Sequence, residues 1–387
     1  MSQLARRIAV ALAGYCAFLN LYSPQALLPL LAKEFGVGAA DISLMMTATA
    51  VAVGMTAPFS GAAADVLGRK RIIVSAMALL SVPTIMLALA PDVPTLLFWR
   101  FVQGLMLPPI FVVTIAYIGD EWPAVEVAGV AGLYTTGASL GGFSGRFVTG
   151  ILTDLVGWRF SFGTLAVFAL AASVAVMLML PRERGFKSSE SLIASLRQMT
   201  RHFRNRQLVA TYAVGFGVLF NFIATFTYVT FVLAAPPYGL SPAMLGSIFA
   251  VYLVGAFLAP MVGIAMSRWG RPNFVVATLV LWIGGILLTL IPSLAVIILG
   301  LAVCSGCGLI VQAISTGYVT ATATEGRSSA VGLYVLSFYV GGSLGAYLPG
   351  LAYEAAGWGA CVALVAAMLV LMALVVALFW ARTPKRV

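Results

Sequence analysis

The chain has 387 residues, of which 61% are hydrophobic and 9% charged, with a formal net charge of +10. A soluble domain is nearer half apolar and a quarter charged, so a water-soluble fold of this size is excluded and the bilayer must solvate most of the chain. The basic balance would suit a nucleic-acid partner, but the basic residues lie mostly in short segments between apolar runs, and no such partner is expected.

A membrane-crossing helix needs about 20 mostly apolar residues. Runs of that kind fall at 8–31, 42–64, 72–89, 96–118, 127–152, 160–180, 208–235, 243–266, 274–290, 294–319, 329–352 and 360–380. The pattern predicts an all-α membrane protein with twelve transmembrane helices, numbered here as spans 1 to 12. Gly and Pro inside several spans do not oppose this, because membrane helices tolerate both. Span 1 follows Arg6 and Arg7, as a signal peptide would. It is longer than a signal core and carries Pro24 and Pro29, so it is expected to be retained. Of the 22 Lys and Arg residues, 18 fall in the alternate segments that include both termini. Positive-inside bias then places both termini in the cytoplasm, which suits a bacterial inner-membrane protein.

The long polar stretch at 181–207 divides an N-terminal bundle (1–180) from a C-terminal one (208–387). Within it Leu192, Leu196, Met199 and Phe203 recur at helical spacing, with Arg197, Arg201 and Arg204 between them and Ser189 as a cap. This predicts a basic amphipathic helix on the cytoplasmic leaflet. His202, the only histidine, lies here and is not expected to relay protons. Cys16, Cys304, Cys307 and Cys361 all fall inside spans. Cys304 and Cys307 form a C-x-x-C with no second pair or histidine, so they are read as packing residues and no metal or other cofactor is expected.

The halves repeat. Between 132–158 and 332–358, nine of 27 positions are identical at a fixed offset, among them Gly141, Gly142, Gly145, Gly150 and Trp158. A second match near offset 202 pairs Pro58, Gly61, Gly68 and Arg69 with Pro260, Gly263, Gly270 and Arg271. Each match joins segments six spans apart, which predicts parallel repeats. Two similar bundles can rock about a central cavity. The rows Gly137, Gly141, Gly145 in span 5 and Ser337, Gly341, Gly345 in span 11 are expected to give the close, sliding contacts that rocking needs.

The loop 61–71 reads GAAADVLGRKR, and span 4 carries Arg100-x-x-Gln103-Gly104. The first resembles the signature loop of the major facilitator superfamily, G-x-x-x-D-x-x-G-R-K/R, and the second its R-x-x-Q-G element. YSPQ in span 1 and GGFSGR in span 5 resemble the YnfM-type efflux proteins of the drug:proton antiporter branch, although span 5 lacks the Gly-Pro pair common there. The resemblance implies the twelve-helix major facilitator fold and a gate at this loop. Asp65 would meet the positive end of span 11, Arg69 would pair with Glu126 or, second, Asp120, and Gly61 and Gly68 would permit close approach. The second-half copy has Ser267 in the place of Asp65's acid.

Ionisable groups inside spans are costly and mark function. Arg100 and Arg146 are the two that stand out, and Asn20, Gln25, Gln103, Asn221, Tyr228 and Gln312 are the uncharged polar candidates for substrate contact. None of the twelve acidic residues lies mid-span. A buried carboxyl is the natural shared carrier of protons and cationic drugs, so a neutral or anionic substrate is favoured. Any proton carrier is then expected at a helix end, Asp41 or Asp154, near one of the arginines. The expected function is proton-coupled export of a small organic molecule by a monomeric secondary transporter. Uptake or exchange of a small anionic or neutral metabolite is the alternative, and a non-transporting receptor or scaffold is the reading from another class. No nucleotide-binding loop and no catalytic constellation is present, so the chain is not expected to be an enzyme.

Overall fold

The structure, a computed structural model, describes residues 2–181, 201–254, 266, 268–323 and 327–380. It is helical throughout, with no strand among the described residues. Span 1 is split into α1 (Gln3–Tyr22) and α2 (Leu28–Phe35). Spans 2 to 6 are α3 (Ala39–Leu67), α4 (Arg69–Ala88), α5 (Val93–Glu121), α6 (Ala124–Val156) and α7 (Trp158–Met179). Span 7 is α8 (Arg206–Ala234). Span 8 opens with α9 (Pro242–Ile248) and a tight turn at Phe249–Tyr252, and its remainder is mostly outside the described residues. Spans 9 and 10 are α10 (Arg271–Leu288) and α11 (Leu294–Thr322). Spans 11 and 12 run together as α12 (Arg327–Val375), which is broken by non-helical Ala356 and Gly357. The amphipathic linker helix falls at 182–200, outside the described residues.

Local chemistry sets the helix starts. Asp92 accepts from Thr95 N at 2.9 Å, Asn205 accepts from Gln207 N at 3.0 Å, and Pro242 follows the capping Ser241. These satisfy amides that an α-helix leaves unpaired at its first turn. Among the described residues, nine helical stretches are long and apolar enough to cross a bilayer. Their outward faces are apolar as well. On α7, Phe160, Val167, Leu170 and Leu178 are exposed, a face suited to lipid rather than water.

The backbone carries the repeat. All positive-φ residues among those described are glycines, and they fall into three pairs, Gly36 with Gly239, Gly68 with Gly270, and Gly157 with Gly357. The glycine rows make the close backbone contacts expected of them. A Cβ on Gly137, Gly141 or Gly145 would overlap the carbonyl oxygen of Ala11, Tyr15 or Leu19 in α1. One on Gly341 or Gly345 would overlap that of Phe216 or Phe220 in α8, and Ser337 donates its hydroxyl to Tyr212 O at 2.8 Å. The rows therefore clamp span 5 to span 1 and span 11 to span 7.

The chain forms two compact units. One comprises 1–37, 44–190 and 239–249, and the other 38–43, 191–238 and 250–387. Each unit thus includes a short stretch from the opposite half of the sequence, the start of α3 in one case and α9 in the other.

Candidate functional site

Span 1 is discontinuous, and its sequence explains where. Pro24 has no N–H to give to the carbonyl four residues back, that of Asn20, and its ring crowds that carbonyl. α1 stops at Tyr22. The carbonyls freed at the break need donors inside a bundle that water does not solvate. Arg100 of α5 supplies two of them, donating Nη1 to Asn20 O at 3.1 Å and Nη2 to Leu21 O at 2.7 Å. Ser23 Oγ also donates to Asn20 O, at 3.0 Å, and Thr149 Oγ1 of α6 donates to Ser23 O at 2.8 Å. A guanidinium at a helix C-terminus additionally meets the negative end of the helix dipole.

Arg100 binds further acceptors. Its Nε donates to Met45 O of α3 at 3.3 Å, and Nη1 also donates to the side-chain oxygen of Gln103. Gln103 Nε2 donates to Thr84 Oγ1 of α4 at 2.9 Å and to Asn20 Oδ1 at 3.4 Å. Asn20, Thr84, Arg100 and Gln103 are all 0% exposed. Five elements of one unit, α1, α3, α4, α5 and α6, are thus tied to one break.

A second arginine flanks it. Arg146 of α6 donates Nε to Gln25 Oε1 at 2.7 Å and Nη1 to Gly142 O at 2.6 Å. Its guanidinium carbon stands 4.1 Å from the Tyr22 ring centroid and 4.4 Å from that of Phe249, both in cation–π range. It is 1% exposed and does not snorkel. Asn20, Gln25, Arg100, Gln103 and Arg146 therefore gather at the break. Thr84 and Thr149, which the sequence does not set apart from other membrane threonines, complete the cluster. The hydrogen-bond partners described for both arginines are carbonyls and amides. Asp41 is exposed in the first turn of α3, and Asp154 accepts from Ser241 Oγ at 2.6 Å.

The other unit treats its candidates differently. Asn221 is 0% exposed, donates Nδ2 to Met372 Sδ at 3.4 Å, and leaves Oδ1 without a partner. Tyr228 donates its hydroxyl to Ala346 O, and Gln312 is half-buried on α11.

At the loop 61–71 Arg69 takes the second of its two expected acids. Arg69 donates to Ala116 O at 2.5 Å and pairs with Asp120, whereas Glu126 accepts from Arg7 at 2.8 Å. Asp120 lies one turn beyond Ala116, so the carbonyl end of α5 and its carboxylate converge on one guanidinium. Among the described residues, a Cβ on Gly61 would meet nothing within 4 Å. Gly68 is required for its φ of 92°. The Asp65 carboxylate and its expected meeting with the start of span 11 lie outside the described side chains. In a double-mutant cycle, Arg69→Gln with Asp120→Asn is expected to show coupling of up to about 1 kcal/mol, the range for a partly exposed pair. Arg69→Gln with Glu126→Gln should be additive in the same thermal-unfolding measurement.

A helical membrane bundle with a broken span held by buried arginines is the architecture of a secondary transporter. The sequence profile of the Major Facilitator Superfamily matches residues 10–235 and 214–387. The chain belongs to that superfamily and has its twelve-helix fold; it is a membrane transporter, not an enzyme. It is 32% identical over 380 residues to the inner membrane transport protein YnfM of Escherichia coli (strain K12), covering 95% of this chain and 89% of that protein. It is 31% identical over 374 residues to the MFS-type transporter YybF of Bacillus subtilis (strain 168), covering 96% of this chain and 92% of YybF. Among solved structures, a bacterial homolog of the human lysosomal transporter Spinster, inward-facing and occupied, matches with a TM-score of 0.80 at 16% identity. That match covers 100% of this chain and 99% of the other.

Proposed function

We propose that the protein exports a small neutral or anionic organic molecule by alternating access, driven by the proton gradient. In this reading it acts as a monomer in the bacterial inner membrane with both termini cytoplasmic. One observation carries the substrate class. Among the described residues, the charged side chains buried within spans are Arg100 and Arg146, and no carboxylate is buried there. A cationic drug would have to enter beside two guanidinium groups, whereas an anion or a neutral acceptor gains from them. Arg146, between Tyr22 and Phe249, is the substrate-facing arginine in this reading, and Arg100 positions span 1.

The proton carrier is assigned to a helix-end carboxylate, Asp41 or Asp154. The same charge inventory favours a second reading, uncoupled uptake or exchange of an anion. Flux into proteoliposomes with and without an imposed pH gradient separates the two. Asp41→Asn or Asp154→Asn is expected to remove the gradient's effect, and an unchanged pH dependence in both would end the coupled reading. A thermal-shift screen against anionic, neutral and cationic compounds tests the substrate class, and stabilisation mainly by lipophilic cations would overturn it.

A further inference from the structure

Two carboxylates outside the arginine cluster repeat each other. Asp154 lies near the end of α6, and Glu354 lies just before the break in α12, at the offset of 200 that relates spans 5 and 11. Asp154 Oδ2 accepts from Ser241 Oγ at 2.6 Å and from Ala243 N at 3.1 Å, at the start of α9. Glu354 Oε1 accepts from Ala40 N at 2.9 Å, at the start of α3. The packing beneath them repeats too. A Cβ on Gly150 would overlap Pro242 O, and one on Gly350 would come within 2.7 Å of Ala40 Cα. Both carboxylates are exposed.

Each contact lies within one compact unit, Asp154 with the 239–249 stretch and Glu354 with 38–43. By sequence, however, each capped helix start comes from the half opposite its carboxylate. Ala243 opens span 8, and Ala40 opens span 2. Side-chain oxygens that satisfy first-turn amides and negative charge at a helix N-terminus are both stabilising.

We propose that Asp154 and Glu354 are a matched pair of latch residues for transport. Asp154 fastens the end of span 5 to the start of span 8, and Glu354 fastens the end of span 11 to the start of span 2, on the non-cytoplasmic face. The proposal rests on the alternating-access reading and its orientation. A mouth that opens and closes needs contacts that part without leaving buried groups unpaired. Exposed carboxylates and first-turn amides meet that need, because water replaces each partner when they separate. The glycine faces let backbones meet and part with no side chains to disengage.

The latch predicts a conformational effect that an amide preserves, since Asn and Gln oxygens also accept from N–H. Spin labels at Lys33→Cys and Ala235→Cys, both exposed, report a distance in the full chain in lipid nanodiscs. The four native cysteines are buried and can remain. In Asp154→Ala/Glu354→Ala the long-distance population is expected to rise about threefold or more. Asp154→Asn/Glu354→Gln should return it to the starting distribution. An unchanged distribution in the alanine pair, or no recovery in the amide pair, would overturn the proposal. If the alanine pair does not fold, Gly38→Ala provides the test, because its Cβ would displace the Glu354 carboxylate while both acids remain. It should produce the same shift, and no shift would overturn the proposal. The readout needs no substrate. Asp154→Asn also separates the two roles of that residue, since it keeps a cap but cannot carry a proton. Loss of gradient-driven flux with an unchanged distance distribution would support the coupling reading without touching the latch.

Discussion

Arg100→Ala is expected to remove most of the folded protein, with any remainder melting more than about 10 °C below the parent. Arg100 donates to four acceptors, the carbonyls of Asn20, Leu21 and Met45 and the side-chain oxygen of Gln103, and its fully buried side chain fills the space between them. A buried acceptor left unpaired costs about 1–3 kcal/mol. Asn20 O keeps Ser23, Met45 O keeps Thr49 and Gln103 can turn, so Leu21 O is the acceptor left unpaired; with the cavity left by a fully buried side chain, the loss is on the order of 5 kcal/mol. That is comparable with the whole stability of many domains, about 5–15 kcal/mol. Lysine should rescue little, because its ammonium is one point of charge and the acceptors lie on three helices. Thermal unfolding in detergent followed by tryptophan fluorescence measures the effect. A normal melting temperature with the response to anionic compounds lost would instead make Arg100 a substrate contact.

The same residue shows how far the sequence could be read. The spans were legible because about 20 apolar residues in a row have few other uses. The duplication was legible because glycines that need positive φ or backbone contact cannot drift in identity. The cluster at the break was legible only in part. Arg100, Gln103 and Pro24 stand out singly, but their convergence depends on which carbonyls the break frees, and that is a three-dimensional fact. Cys304-x-x-Cys307-Gly308 occupies span 10 as Arg100-x-x-Gln103-Gly104 occupies span 4. The difference now has a cause. Span 7 runs unbroken through α8, so no freed carbonyls call for a guanidinium, and two buried cysteines suffice. The sequence leaves Arg69 two acids, Glu126 and Asp120, because they are close in sequence and only the direction of each helix end separates them. The carboxylate caps were hidden for a related reason. Asp154 and Glu354 look like ordinary helix-end acids until their partners, 87 to 314 residues away, are placed beside them.

Gly141→Leu and Gly341→Leu are each expected to prevent folding of the unit that contains them. The argument is steric. The Cβ of any residue at Gly141 would overlap Tyr15 O, and at Gly341 it would overlap Phe216 O. Both obstacles are helix backbone, which cannot swing aside as a side chain can, so the helices must separate along their length. Neighbouring contacts go with them, since Gly137 and Gly145 meet α1 one turn to either side and Gly345 meets α8 one turn on. Overpacking by a few methylenes costs about 1–3 kcal/mol where side chains can adjust, and here they cannot. Alanine at either site is expected to be damaging already, though less so than leucine. Gly132→Ala is the control. Among the described residues a Cβ there would meet nothing within 4 Å, so the change should be neutral or raise stability by about 0.5–1 kcal/mol through helix propensity. Yield of monodisperse protein and melting temperature report all of these variants. If Gly141→Leu and Gly341→Leu fold normally but lose transport, the rows are sliding surfaces after all, and the clamp inferred from the backbone contacts is wrong.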